Sequence, residues 1–262
     1  MKKIIISLAV MFATYTCFSQ EQPSPPLNKK EQRKQRIDAM AKQEEEGVIT
    51  YTRHTVFGGK LTTDGYGGFV EIGRAKSISR SSLFQLEILE RKHVKEEKQQ
   101  QYSNVTPFIY GKINYFYPVK LGMQQQFLLG NKGNKNGVSV TGSFGGGLAL
   151  GLLRPYYVDV LRGSERVAIK YESADSLNYL NSDNIIGGSG FGKGWSEMQV
   201  VPGVYLKPAV RFDYGKYNEM VNAIEVGLTG EFYSKTIPQI VYNKQKRFFL
   251  NAYVSIVFGR RK

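Results

Sequence analysis

Cysteine is nearly missing from this chain of 262 residues: Cys17 is the only one. It falls in a leader that the sequence marks for removal, so the mature chain has neither a disulfide nor a thiolate nucleophile. Histidine is almost as scarce, with only His54 and His93. His93 lies in Arg91-Lys92-His93-Val94-Lys95-Glu96-Glu97-Lys98, a charge run that reads as a solvated turn. A hydrolase or acyltransferase would need a histidine held near a serine or a carboxylate, which spacing alone does not exclude. Metal-ligand spacing is missing too, so the sequence nominates no catalytic, metal-binding or cofactor-binding residue. After the leader, no apolar run approaches the roughly 20 residues that a membrane-spanning helix needs.

The leader itself is informative. Lys2 and Lys3 form a positive start, Ile4 to Ala13 an apolar stretch, and Cys17-Phe18-Ser19 places small residues before Gln20. This pattern predicts a cleaved secretory signal over 1–19. Lipidation of Cys17 is the competing reading, against which Thr14-Tyr15-Thr16 is a poor match to the small residues such a site requires. From 20 to 47 the composition changes. Pro23, Pro25 and Pro26 make a stiff lead, and Lys29 to Glu46 is charged on all sides, which predicts a solvated periplasmic tail or a short helix docking on a partner. The charges of the tail balance, so most of the formal excess of +14 belongs to residues from Val48 onward.

Those residues alternate. In the last segment Phe248, Leu250, Ala252, Val254, Ile256 and Phe258 occupy every second position, with Asn251, Tyr253, Ser255 and Gly259 between them. A strand with one wholly apolar face either covers a soluble core or turns that face to lipid and the other to a barrel lumen. Without helical spans, a membrane protein must be a closed barrel, because only closure satisfies every backbone N–H and C=O in hydrocarbon. The chain also carries 17 Tyr, 15 Phe and 28 Gly. The predicted fold is therefore all-β: a closed antiparallel transmembrane β-barrel over 48–262.

Nine extended segments can be cut from the pattern, and bacterial single-chain barrels have an even number of strands. Eight strands follow if the first two segments are miscut, and ten if Arg166 to Tyr171 is added; eight is favoured. Barrels of that size fill their interior with side chains. Phe84, Leu86 and Ile88 oppose Gln85 and Glu87; Ile109, Ile113 and Tyr115 oppose Lys112 and Asn114. Leu206, Val210 and Phe212 oppose Lys207, Arg211 and Asp213, while Ile224, Val226, Leu228 and Phe232 oppose Glu225 and Glu231. Placing the polar set inside gives Glu87, Lys112, Lys207, Arg211, Asp213, Glu225 and Glu231, whose mixed signs suggest a paired ionic plug. An acid/base pair among the carboxylates is the alternative, and pairing is the commoner solution for buried charge.

Two glycine clusters, 142–147 and 187–192, lack the Gly-Lys-Ser/Thr ending of a phosphate loop. The first lies within an alternating strand, where small residues ease curvature. The second falls in 154–197, the longest stretch without alternation, together with Trp195. Tyr156, Tyr157, Phe191 and Trp195 make that stretch too apolar for a freely solvated loop and nominate it as a partner contact. Aromatic residues spread along strands as interface girdles do, which argues against nucleic acid as a partner.

The exported N-terminus, the alternating strands and the near-final Phe258 resemble small outer-membrane β-barrels of Gram-negative bacteria. Lys92-His93-Val94-Lys95-Glu96, Tyr110-Gly111-Lys112-Ile113-Asn114, Arg154-Pro155-Tyr156-Tyr157 and Phe248-Phe249-Leu250 with Phe258-Gly259 look like segments that recur in one group of such barrels. The resemblance implies a place in the outer membrane, with the tail in the periplasm. Lipid and lipopolysaccharide would surround the barrel, and other outer-membrane proteins would be its partners. Some such barrels are accessory subunits of outer-membrane assembly or secretion machinery. The resemblance brings no active site with it, and Gly259 to Lys262 extend past the terminal aromatic. A non-enzymatic accessory or structural subunit is therefore the leading expectation, followed by a small porin or lipid-handling channel and then by a membrane-embedded enzyme.

Overall fold

The computed structural model describes residues 51–77, 79–100, 105–133, 137–172, 176–215 and 219–262. The predicted signal and tail, 1–47, lie outside the described residues. Thirteen strands are present among the described residues: β1 (Arg53–Thr62), β2 (Gly65–Ser77), β3 (Arg80–Arg91), β4 (Lys98–Gln99), β5 (Phe108–Ile109), β6 (Asn114–Gly130), β7 (Ser139–Pro155), β8 (Tyr157–Arg162), β9 (Glu165–Lys170), β10 (Ile185–Gly188), β11 (Gln199–Asp213), β12 (Met220–Ile237) and β13 (Lys246–Arg261). A short α-helix, α1 (Ser176–Leu180), and a 3₁₀ turn (Ser182–Asn184) lie between β9 and β10. No helix among the described residues is long and apolar enough to cross a membrane.

Eight strands close into an antiparallel barrel in the order β1-β2-β3-β6-β7-β11-β12-β13, and β13 returns to β1 through the register His54↔Arg261 to Thr62↔Tyr253. Each barrel strand pairs with its sequence neighbours in the ring, so the barrel is a simple meander without edges, the arrangement that leaves no ladder unpaired. The favoured count of eight is correct, and the miscut lay elsewhere than in the first two segments. Thr106 to Tyr117 and Val119 to Gly130 are not two strands, because β6 runs unbroken through Pro118, which pairs with Gly151. Proline removes one ladder donor and therefore reads as a break. Ile109 and Lys112 accordingly precede the barrel strand. Arg166 to Tyr171 is no tenth barrel strand either: β9 pairs with β8, and β8 with β10, in a separate three-stranded sheet.

The two ends of the barrel differ. The start of β1, the end of β13 and the connections 78–79, 131–138 and 214–219 share one end, called here the termini end. The connections 63–64, 92–113, 156–198 and 238–245 share the other, the loop end. At the loop end the β8–β9–β10 sheet, α1 and β5 bury Phe108, Ile109, Tyr156, Val158, Val160, Ile169, Tyr179 and Ile185 together. Thus 154–197, which reads as irregular in sequence, carries ordered structure with its own apolar core. It is tied to the 92–113 connection, since Gly188 donates to the carbonyl of Thr106 at 3.0 Å and the Tyr110 hydroxyl donates to Leu180 at 2.7 Å.

Alternation sorts the strands into an apolar outside and a polar inside. Outward-facing Phe57, Val70, Ile72, Leu86, Ile88, Leu121, Met123, Leu148, Val204, Leu206, Val226, Val254 and Ile256 are all exposed. Outward charges on these strands, such as Arg74, Lys76, Arg80, Glu90, Lys235 and Arg260, sit near strand ends. Inside, glycine yields room to large neighbours: a Cβ on Gly73 would lie 2.1 Å from the His54 ring, and one on Gly122 would lie 2.5 Å from the Tyr205 hydroxyl. These inward glycines explain how so many long side chains fit a ring of eight strands.

Candidate functional site

The lumen is filled by a ladder of ion pairs. At the loop end Arg91 makes a two-pronged contact with Glu231, at 3.0 and 2.8 Å, while its Nε lies 2.7 Å from Asp64. Lys120 bridges Glu231 at 2.7 Å and Glu87 at 2.8 Å, and Lys60 also pairs with Glu87. Further down, Lys207 donates to Gln85 at 2.9 Å and lies 3.0 Å from Glu225. Arg211 is gripped by Glu71, at 2.8 Å from both carboxylate oxygens, and by Glu225 at 2.6 Å. His54 meets Glu71 at 3.2 Å, and near the termini end Arg261 pairs with Asp213.

Between Asp64 and His54 the ladder sets Lys60, Arg91, Lys120, Lys207 and Arg211 against Asp64, Glu71, Glu87, Glu225 and Glu231. That is a balance of five cations and five carboxylates. Burying a charge is costly unless it is paired and hydrogen-bonded, and these pairs supply both conditions. Aromatic rings seal what remains: Lys60 lies 4.0 Å from the centroid of Tyr253, whose hydroxyl donates to Glu225 at 2.8 Å. Phe116, Tyr233 and Phe249 meet one another at 5.5 to 5.9 Å, with Arg91 over Phe249 at 4.8 Å. At the termini end a cavity of about 40 Å³ lined by His54, Gln126, Arg211 and Asp213 is room for a water or two and no more.

Of the residues nominated for the plug, Glu87, Lys207, Arg211, Asp213, Glu225 and Glu231 lie in the lumen and are paired there. Lys112 does not: it sits in the loop-end layer, bridged to Ile240, with its ammonium 2.6 Å from Glu96. Burial pushes the Lys112 ammonium below its ordinary value, against the opposing pull of Glu96. The sequence reading missed Lys60, Glu71, Arg91 and Lys120. Arg91 was hidden in a charge run, and Lys120 behind the false break at Pro118. Lys60 and Glu71 lie in glycine-rich strands, where alternation is hard to read.

The nominated contact residues divide as well. Tyr156 is 4% exposed and its hydroxyl accepts from the Ile109 amide at 3.0 Å, so it belongs to the loop-end core and offers no contact surface. The Tyr157 hydroxyl donates to Glu197 at 2.6 Å. Phe191 and Trp195 remain exposed, with rings 5.2 Å apart and the Trp195 Nε1 donating to the Phe191 carbonyl at 2.9 Å. They close over Arg154, which the sequence reading quoted only within the segment Arg154-Pro155-Tyr156-Tyr157 and gave no role. Its guanidinium lies 4.2 Å from the Tyr115 ring, 4.5 Å from Phe191 and 4.6 Å from Trp195. Here aromatic and basic side chains do converge, although their spacing in the chain keeps them apart.

Beside this cluster a cavity of about 470 Å³ opens at the loop end, lined by Tyr66, Glu90, Lys92, Glu96, Lys98, Ile109, Lys112, Tyr115, Tyr117, Arg154 and Phe191. Among the described residues no group of histidine, cysteine and carboxylates could hold a metal ion. The cavity presents charge and ring faces to whatever enters it.

No protein-family model matches the chain, and no curated protein sequence matches it significantly. Among solved structures it is similar to the N-terminal β-barrel domain of Pseudomonas aeruginosa OprF, at 12% identity and a TM-score of 0.35 over 80% of this chain and 98% of that one. It is also similar to Ail, the attachment invasion locus protein of Yersinia pestis, at 7% identity and a TM-score of 0.39 over 80% and 97%. Neisserial surface protein A is a third, at 10% identity and a TM-score of 0.37 over 81% and 96%. Likenesses this remote transfer no binding property to this chain.

Proposed function

We propose that this chain is an integral outer-membrane barrel that does not conduct, and that it acts as a non-enzymatic accessory subunit of a larger outer-membrane assembly. The outer surface supports the membrane reading. Phe248 and Phe258 lie ten residues apart on β13, and ten residues at about 3.3 Å each, tilted by about 40°, rise roughly 25 Å, the height of a lipid-facing apolar band. Phe232 lies directly opposite Phe248, and Phe57 opposite Phe258, so aromatic residues mark both margins of that band. Short connections and both strand termini at one end fit a periplasmic side, with the long connections outside.

The single observation that carries the accessory role is the filled, charge-balanced lumen. A barrel that passes nothing must work through its surfaces, and the surfaces offered are Phe191, Trp195 and Tyr157 at the loop end, together with the charged stretch 20–47 of the sequence. The test is copurification of the tagged chain in mild detergent at native expression. Deletion of Ser173 to Gly194 is expected to leave the barrel inserted and to weaken copurification, while deletion of Lys29 to Glu46 affects only periplasmic contacts. A lone monomer, with no phenotype from either deletion, would overturn the accessory role.

A further inference from the structure

The cavity beside Arg154 has features that a merely structural cluster lacks. Arg154 is 1% exposed, yet no carboxylate pairs with it among the described residues. One of its terminal nitrogens donates to the Phe191 carbonyl at 2.8 Å, and its Nε, buried, has no hydrogen-bond partner. A buried cation held by rings, a tyrosine and one carbonyl, with no carboxylate of the described residues beside it, retains unspent capacity for an anion. The two carboxylates in the cavity are engaged: Glu96 by Lys112 at 2.6 Å, and Glu90 by the Tyr66 hydroxyl at 2.9 Å. Exposed Lys92 and Lys98 add two more cations to the rim, giving four cations against two carboxylates in the lining.

The remaining walls are ring faces. Tyr66, Tyr115 and Tyr117 line the cavity, with Tyr115 and Tyr117 stacked at 6.2 Å and Trp195 stacked on Tyr117 at 6.0 Å. Aromatic faces beside a small number of placed polar groups suit a ring-shaped ligand with an apolar side, and the volume falls within the range of small-ligand pockets. We propose that this loop-end cavity binds an acidic saccharide, with its carboxylate, phosphate or sulfate on Arg154, Lys92 and Lys98 and its sugar ring against the tyrosines. The site stands apart from the accessory role, since it rests on the cavity alone and is tested without any partner protein.

Trp195 is the sole tryptophan of the chain, so its fluorescence reports this cluster directly. The full chain in detergent is titrated with galacturonate and glucose 6-phosphate, and in parallel with glucose and inorganic phosphate. Saturable changes with the two acidic sugars, about tenfold weaker for glucose and for phosphate, are expected from the need for both charge and ring. Arg154→Gln should weaken binding about tenfold or more. Because that variant loses a buried residue, Lys92→Gln combined with Lys98→Gln, both at exposed positions, provides the second test and should weaken binding several-fold. No saturable change, an equal response to glucose, an equal response to phosphate, or full affinity in the double variant would each overturn the proposal. Repeating the experiment with vesicles with and without lipopolysaccharide separates the sources. A Trp195 change on adding the lipopolysaccharide vesicles, reversed by galacturonate, points to the membrane's own glycolipid, and a response to free sugar alone points to a soluble saccharide.

Discussion

The lumen ladder and the Arg154 cluster both bury cations, and they treat them in opposite ways. In the lumen Arg211 is held by two carboxylates, and Lys120 by two. At the loop end Arg154 is held by rings, a tyrosine and a single carbonyl. A cation whose carboxylates are built in has no need of a ligand, whereas one left among aromatic faces can still take one. The first region is a structural filling, and the second is where recognition chemistry is left over.

Breaking the lumen should cost most. Glu225→Ala would strip Lys207 and Arg211 of a shared partner and orphan the Tyr253 hydroxyl, and removing one member of such a buried set costs about 3 to 5 kcal/mol. Urea titration of the detergent-folded barrel measures it; a loss below about 1 kcal/mol would mean that the lumen is wet and the charges are screened. Next comes the outer face, which sharpens the comparison by testing what surrounds the plug. Val254→Arg places a charge near the middle of β13 and should destabilise the barrel in lipid by about 2 to 4 kcal/mol. Unchanged folding and heat-modifiable gel mobility would show that this face does not meet lipid.

A smaller effect is expected at the outer surface of the loop end. The Lys170 ammonium and the Tyr157 hydroxyl hold the Glu197 carboxyl below its ordinary value, and the hydrogen bonds that Lys170 donates to Glu172 and Glu197 hold its ammonium above its own. A lowered carboxyl contributes stability above its unfolded value and loses it as pH falls through the folded one. A raised ammonium contributes below its unfolded value and loses it as pH rises through the folded one. The contact should therefore persist across neutral pH and fail at both extremes. As these groups are exposed, Glu197→Gln should change stability by less than about 1 kcal/mol, and loss of barrel folding in that variant would contradict the surface role assigned here.

Much of this barrel could be read in the chain. The period of two in β13 and β12 placed Val254, Ile256 and Val226 outside and Glu225 and Glu231 inside, because a strand buried on one face must alternate. Lys112 was misplaced because Pro118 looked like a strand end, which shifted the start of the strand to the wrong side of Asn114. Pairing partners such as Glu71 with Arg211 were beyond reach, since they lie 140 residues apart and meet only across a closed lumen. The Arg154 cluster was hidden for the same reason. Tyr115 and Tyr117, Arg154, and Phe191 with Trp195 come from three distant segments that only the β6–β7 register and the fold of 156–198 bring together.

Planar-bilayer recording of the purified full-length chain tests the filled lumen most directly. The pairing of Lys60, Arg91, Lys120, Lys207 and Arg211 with five carboxylates predicts no stable conductance steps in the wild-type protein. Reproducible single-channel steps in the unmodified chain would contradict it and make the barrel a pore.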